Sequence, residues 1–324
     1  MGWLAGKRIY VAGHRGLAGS AILRQLQAGG FGPILTRTHA EADLEEPAAA
    51  RALLKAERPQ VVFLAAAKVG GILANATRPA DFLLRNLLIE ANVIRAAHEA
   101  GVQRLIFLGS SCIYPRDCPQ PIREEYLLTG PLESTNRPYA LAKIAGVELC
   151  WAFNRQYGAR YLAAMPTNLY GPGDNYDPQD SHVLAALIRK THEAKQAARE
   201  EVVLWGSGTP RREFLHADDL ARALLFLADL DDARFARLTD PARCPLINIG
   251  TGEDLTIREL AQLIADVVGF RGRFVHDTTK PDGTPRKLLE VSRIRALGWT
   301  PSIALRDGIA DAYRDFLHHT ATAG

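Results

Sequence analysis

Short runs of consecutive apolar residues alternate along this chain with longer stretches in which apolar positions recur every three or four residues. That alternation is the pattern of strands and helices taken in turn. Lys7 to Ala12, Val61 to Ala67, Arg104 to Gly109 and Ala159 to Met165 read as strands. The Val61 run is continuously apolar, as in a parallel strand covered on both faces. A helix follows the first strand through Ile22, Leu23 and Leu26, and a longer one is predicted over 79–100 by Phe82, Leu83, Leu84, Leu87, Leu88, Ile89, Val93 and Ile94. The apolar positions of the longer helix cover more than one stripe, so one face needs a partner beyond its own sheet. An internally buried helix and a dimer interface both satisfy that need. The pattern as a whole predicts an α/β fold with a parallel sheet.

Between the first strand and its helix stand Gly13, Gly16 and Gly19. Glycines there let the chain turn tightly and approach a pyrophosphate, while the helix N-terminus offers free amides to the anion. Strand, loop and helix in this order make the sheet a Rossmann-type doubly wound one, and the loop a dinucleotide site. An NAD enzyme usually carries an acid about 20 residues beyond that loop. This chain has Thr36-Arg37-Thr38 instead. Arg37, with Arg15 inside the loop, favours a 2′-phosphate and hence NADP(H). Ala66 and Ala67 are small enough for a cofactor backbone to pass close.

The chemistry concentrates between Gly109 and Lys143. A buried strand ends at Gly109 and hands over to Ser110, Ser111 and Cys112, a polar cluster where open α/β sheets place their sites. Ser134-Thr-Asn-Arg-Pro138 reads as a helix start, with capping side chains before a proline. Tyr139 and Lys143 then fall one turn apart on a single face. An ammonium there favours the phenolate, so Tyr139 is placed to exchange a proton with a carbonyl or alcohol oxygen that Ser110 also holds.

Composition narrows the surroundings. With 324 residues the chain has room for two lobes. A net charge of +3, without any long basic block, argues against nucleic acid as a partner. Cys112, Cys118, Cys150 and Cys244 form no metal-ligand spacing and no C-x-x-C pair, and no signal-peptide order or membrane-length apolar stretch is present. A cytoplasmic protein without a metal centre is expected.

Gly109-Ser-Ser-Cys-Ile-Tyr-Pro115, Pro138-Tyr-Ala-Leu-Ala-Lys143 and Pro166-Thr-Asn-Leu-Tyr-Gly-Pro172 resemble the extended short-chain dehydrogenase/reductase family. Within it the likeness is to the branch that epimerises and reduces GDP-4-keto-6-deoxy sugars, and it runs over nearly the whole chain. The resemblance implies an NADP-binding Rossmann domain over 1–172 with a returning segment at about 214–250. A smaller C-terminal α/β domain, over 173–213 and 251–324, would bind the GDP-sugar. It implies that Leu17, Asp43, Pro166, Asn168, Leu169, Lys143 and His182 join the glycines, Arg15, Arg37, Ala66 and Ala67 around the cofactor. Asn168, Val183, Lys190, Trp205, Arg212, Arg286 and Lys287 would hold the substrate, the last two in a 280–290 loop closing over its diphosphate. The residues agree in part: Trp205 offers a flat surface for a purine, and Arg211 and Arg212 offer charge for a pyrophosphate. A homodimer formed through a four-helix bundle of the 79–100 and Tyr139 helices is implied as well.

Ser110, Tyr139, Lys143 and a nicotinamide suffice for carbonyl reduction. A thiol near its activation range and an imidazole add proton exchange at carbons beside a ketone. By the same resemblance, Cys112 removes the C3 and C5 protons, His182 replaces them on the opposite face, and NADPH reduces C4 to give the L-fucose sugar. The sugar 4,6-dehydratases of the family need an Asp-Glu pair where Ser111-Cys112 stand, and UDP-sugar 4-epimerases usually have an acid at Arg37. A GDP-4-keto-heptose or a colitose precursor as substrate stays open. A nucleotide-sensing protein without turnover would be expected to lack part of the Ser-Tyr-Lys set.

Overall fold

The continuous apolar runs do become strands. The structure, a computed structural model, describes residues 2–178, 180–280 and 282–322; Pro281 of the expected diphosphate loop lies outside them. Strands β1 (Ile9–Ala12), β2 (Ile34–Leu35), β3 (Val61–Leu64), β4 (Arg104–Leu108) and β5 (Tyr161–Pro166) are interleaved with helices α1 (Leu17–Ala28), α2 (Pro47–Glu57), α3 (Ile72–Thr77), α4 (Pro79–Glu99) and α5 (Arg137–Tyr157). Next come β6 (Asn168–Tyr170), α6 (Val183–Gln196), β7 (Glu201–Trp205), β8 (Arg211–Arg212), β9 (Phe214–His216), α7 (Ala217–Asp229), α8 (Asp232–Leu238) and β10 (Leu246–Ile249). The chain ends through β11 (Leu255–Thr256), α9 (Ile257–Val268), β12 (Arg273–Asp277), β13 (Arg286–Lys287), α10 (Ser292–Ala296) and α11 (Leu305–Thr322).

Six strands form one parallel sheet in the order β10-β5-β4-β3-β1-β2. The chain steps from β1 out to β2 and then crosses back to lay β3 on the other flank of β1. The order therefore reverses beside β1, and the crevice outside the strand ends at such a reversal is where open α/β sheets take ligands. Every residue of β1, β3, β4, β5 and β10 is buried, so the main core lies on both faces of this sheet. The strand expected over 61–67 stops at Leu64, because Ala65 to Ala67 leave the ladder half-buried and run close to Gly13.

A second apolar cluster joins α6, α9 and α11 through Leu184, Leu187, Ile188, Leu260, Ile264, Ile309 and Phe316. Beside it β7 pairs in parallel with β12, while β8 pairs with β11 and β13. Among the described residues no helix is long and apolar enough to cross a membrane.

Two buried polar side chains tie the late segments to the main sheet. Glu213, between β8 and β9, accepts from the Gly252 amide at 2.7 Å and the Leu289 amide at 2.9 Å. Asn248 on β10 accepts from the Tyr114 hydroxyl at 2.6 Å and donates to the Ile122 carbonyl at 2.9 Å and the Glu290 carbonyl at 3.2 Å. The segment after β13 is further bonded to the 120–122 stretch, Leu288 N–H to Gln120 Oε1 at 2.9 Å and Ile122 N–H to the Leu288 carbonyl at 2.7 Å. Removing the Asn248 amide leaves several buried groups unpaired, each worth about 1–3 kcal/mol. Asn248→Ala is therefore expected to lower the unfolding free energy by about 2–4 kcal/mol in urea titration, and an unchanged midpoint would contradict the assignment.

Candidate active site

The glycine loop leaves room for a ligand by closing up on itself. Gly13 takes φ +83°, and a Cβ there would lie 2.7 Å from Ala66 Cα. A Cβ on Gly19 would lie 2.1 Å from the Gly13 carbonyl oxygen. Helix α1 starts after Gly16 without a side-chain cap, so its first-turn amides have no partner from the helix itself. Leu17 opens that turn. The His14 Nδ1 atom is buried and unpartnered in the loop.

Arg15 is exposed and Arg37 half-exposed. As the structure stands, Arg37 pairs with Glu57 at 2.5 Å and donates to the Thr36 carbonyl at 2.8 Å. Both arginines act on Glu41, whose carboxyl is held below its ordinary range first by the Thr38 amide and hydroxyl and then by Arg37 and Arg15. Asp43 caps a local turn, accepting from the Glu45 amide at 2.9 Å.

At the end of β4, Ser110 is the extended N-cap of a single turn over Ser111–Ile113, with its Oγ accepting from the Cys112 amide at 3.4 Å. Cys112 is 8% exposed. Helix α5 crosses this turn, carrying Tyr139 and Lys143. The expected capping of α5 by Ser134 to Asn136 side chains is not what forms. Asn136 stands at the N-cap without a side-chain bond to the helix, and Glu133 instead ties the turn before it, accepting from the amides of Thr135 at 3.0 Å and Asn136 at 3.1 Å and from the Thr135 hydroxyl at 2.6 Å. Asn136 Oδ1 is left buried without a partner.

Lys143 is 2% exposed and donates to the Leu108 carbonyl at 3.0 Å. Its ammonium lies 3.0 Å from Glu90 Oε1 on α4 and 5.7 Å from the Tyr139 ring centre. The contact with Glu90 is a charge pair whose angles fall outside hydrogen-bond geometry, since both carboxylate oxygens lack a hydrogen-bond donor. This corrects the expectation of a phenolate at Tyr139. Burial pushes that phenol well above its ordinary range, and the thiol of Cys112 and the carboxylate of Glu90 push the same way. Cys112 itself is not near its activation range in the free chain. Burial raises its thiol, and Lys287, then Ser110, then Lys143 pull it back.

His182 caps α6 with no side-chain bond to the helix. It is exposed by area yet crowded by protein on one side, and that desolvation lowers its imidazole pKa. Val183, next to it, is 37% exposed. Pro166 ends β5, and Asn168 and Leu169 lie on β6, with Asn168 donating to the Glu213 carbonyl at 2.8 Å.

Trp205 ends β7 and is 64% exposed. Lys190 on α6 lies 5.0 Å from its ring centre and Lys280 5.7 Å. Arg212 donates to the Arg211 and Thr284 carbonyls at 2.8 and 2.6 Å. Arg286 is bound to Asp254 at 2.5 Å, and Asp254 also receives Arg211 at 2.8 Å. Lys287 and Arg286 both line a cleft shared with Cys112, Glu133, Asn136 and Gln120, and of the two Arg286 has a carboxylate partner, Asp254.

Sequence reading missed Glu90, Glu133, Asn136, Glu213 and Asp254. Glu90 had a visible signal, an acid inside the apolar stretch Leu87-Leu-Ile89 of a long helix. Glu213 and Asp254 stand where most of their partners lie far off in the chain, and Glu133 and Asn136 lie in a polar turn that gives no local sign of its role.

Residues 9–236 match the NAD dependent epimerase/dehydratase family. The chain is 55% identical to GDP-L-fucose synthase 1 of Arabidopsis thaliana over 96% of this chain and 93% of that protein. It is 53% identical to GDP-L-fucose synthase of Escherichia coli (strain K12), over 97% of each. Among solved structures, a GDP-D-glycero-L-gluco-heptose synthase from Campylobacter jejuni, determined in the presence of NADPH, superposes with TM-score 0.88 at 35% identity, covering 96% of this chain and 98% of that one. On sequence and architecture together, the chain belongs to the NAD dependent epimerase/dehydratase family, the extended short-chain dehydrogenase/reductases that its motifs resemble.

Proposed function

We propose that the protein converts GDP-4-keto-6-deoxy-D-mannose to GDP-L-fucose, inverting C3 and C5 and reducing C4 with NADPH. One observation carries this reading. A buried thiol, Cys112, shares a strand end with Ser110, and helix α5, which carries Tyr139, packs against that turn, so proton exchange and carbonyl reduction have their side chains in one place. The full-length likeness to GDP-L-fucose synthases supports it.

The loop at Gly13, Gly16 and Gly19 fits a dinucleotide: Gly13 and Gly19 let it close tightly against Ala66 and onto itself, and the first-turn amides of α1 are left without a side-chain cap, free to meet a pyrophosphate. In this reading Leu17, Asp43, Ala66 and Ala67 line the nucleotide, Arg15 and Arg37 take the 2′-phosphate, and Lys143, Pro166, Asn168, Leu169 and His182 hold the nicotinamide end. NADPH, when bound, supplies the hydride for C4.

The chain's own groups move the protons. Ser110 and Tyr139 donate hydrogen bonds to the C4 oxygen, which holds the negative charge that develops when a proton leaves C3 or C5. The Cys112 thiolate takes that proton, and the His182 imidazolium returns one from the other face. Tyr139 finally protonates the C4 oxygen, a task that suits a phenol kept protonated by burial. Trp205, flanked by Lys190 and Lys280, receives the guanine. Val183, Asn168, Arg212, Arg286 and Lys287 complete the substrate's surroundings. The cofactor region is 1–172 with about 214–250, and the GDP-sugar region is 173–213 with 251–324. The reading includes a cytoplasmic homodimer, supported by the exposed Leu84 and Leu88 of α4 and Leu141 of α5.

A second reading keeps the chemistry and changes the sugar to a GDP-4-keto-heptose, favoured by the superposition on the Campylobacter jejuni heptose enzyme. NADPH consumption with each GDP-4-keto sugar, followed by NMR of the product, separates them. The 6-deoxyhexose is expected to be the faster substrate and to yield an L-fucose configuration. Preference for the heptose would transfer the assignment to the second reading, and turnover of neither would overturn both.

The ionisation of the two proton-exchanging groups sets a pH signature. Cys112 works deprotonated and its pKa is raised by burial; His182 works protonated and its pKa is lowered by desolvation. The working state is a minority form at every pH. Its share rises with pH up to the His182 pKa, stays level, and falls above the Cys112 pKa. Solvent-deuterium uptake at C3 and C5, followed as kcat/KM against pH, is expected to be a broad bell with its acid limb below the usual histidine value of about 6.5 and its alkaline limb above the usual thiol value of about 8.5. Limbs lying between those values would contradict the two assignments.

A further inference from the structure

Lys287 is a cation in an unusual setting. Its backbone is fixed on both sides: β13 pairs with β8 through Lys287↔Arg212, and the next residue, Leu288, is bonded to the 120–122 stretch in both directions. Its side chain is half-buried in the cleft that Cys112 also lines. Among the described residues no carboxylate pairs with its ammonium. Arg286, its neighbour, has Asp254. Glu133, which also acts on Lys287 from the start of α5, is already bonded to Thr135 and Asn136. Burial lowers the Lys287 pKa; Cys112 is the strongest group drawing it back up, Arg212 on β8 repels it, and Cys118 in the loop after Pro115 attracts it more weakly than Cys112 does.

A half-buried ammonium without a counter-ion stabilises any anion that forms beside it, and the group on hand to become one is the Cys112 thiol. We infer that Lys287 is a positioning residue for Cys112, its ammonium holding the thiolate form in the cleft, rather than only a contact for the substrate's diphosphate. Tyr139 and Lys143 on α5 and the Ser110 hydroxyl face the same thiol. The cleft around the thiol also holds Tyr114, Glu133, Arg116 and Arg286, the last paired with Asp254; of the two ammonium ions acting on Cys112, Lys143 is engaged by Glu90 and Lys287 has no carboxylate pair among the described residues. Lys287 is also the strongest of the groups that offset the burial of Cys112, ahead of Ser110 and Lys143.

This inference rests on the reading of Cys112 as the base, but its test needs no sugar. Iodoacetamide alkylation of the full-length protein, with the Cys112 peptide resolved by mass spectrometry, reports the thiolate fraction as pH is varied. In Lys287→Gln the alkylation midpoint of Cys112 is expected to rise by about one unit, roughly tenfold slower alkylation at a pH below both midpoints, with Lys287→Arg close to wild type. A midpoint in Lys287→Gln equal to wild type would overturn the inference, as would an arginine variant shifted as far as the glutamine one. If Lys287→Gln melts early, Lys287→Met, which keeps the stem and drops the charge, is held to the same outcomes.

Failure of the parent reading would look different. Were Cys112→Ser to retain deuterium uptake at C3 and C5, Cys112 would not be the base, while a shifted midpoint in Lys287→Gln would still support the charge coupling.

Discussion

The charge pair between Lys143 and Glu90 is the contact on which the rest of the site depends. Both side chains are almost wholly out of water, 2% and 1% exposed, at 3.0 Å. Burial pushes the Glu90 carboxyl above its ordinary range while Lys143 draws it back. Neither group would be tolerable there alone, since removing one partner of a buried pair costs about 3–5 kcal/mol. The same ammonium bonds the Leu108 carbonyl at the very end of β4. Three elements, α4, α5 and the central strand, are thereby locked in one register, and Tyr139, one turn before Lys143, is set above the Ser110–Cys112 turn. The pairing also cancels much of the lysine charge at its source. Tyr139 itself remains a phenol first because it is buried, with the Cys112 thiol and then the Glu90 carboxylate pushing the same way, and it is ready to give a proton rather than take one.

The second constraint is the way late segments return to the sheet. Glu213 and Asn248 gather amides and carbonyls from stretches far apart in sequence, and both are fully buried. Through them the segment after β13 is brought against the turn after β4. Lys287 and Arg286 both reach the Cys112 cleft as a result, Arg286 with Asp254 as its partner. In this account the diphosphate end and the reacting end of a GDP-sugar are served by adjacent residues of one short strand.

Much of this was legible in the chain before any coordinates. Continuous apolar runs marked β1, β3, β4 and β5 to within a few residues, because a strand covered on both faces has no polar position to blur its limits. The glycine loop, the Tyr139–Lys143 spacing and the helix over 79–100 were equally plain, each being a local pattern. What escaped was set by tertiary partners. Tyr139 was expected to be drawn towards phenolate by Lys143, and burial of the phenol, with Cys112 and Glu90 behind it, reverses that. Ser134 to Asn136 were expected to cap α5, but α5 starts without a side-chain cap and Glu133 braces the turn before it. The parallel pairing of β7 with β12 joins residues about seventy positions apart, and nothing in either stretch announces the other.

The central claim is that one site exchanges protons at two carbons and then reduces a third. A single turnover with GDP-4-keto-6-deoxy-D-mannose and unlabelled NADPH in deuterium oxide tests it directly. The account predicts an L-fucose product carrying deuterium at C3 and C5 and protium at C4, with the C3 and C5 label lost in Cys112→Ser. Reduction at C4 without label at either neighbouring carbon in the wild-type protein would contradict it, leaving a plain ketoreductase.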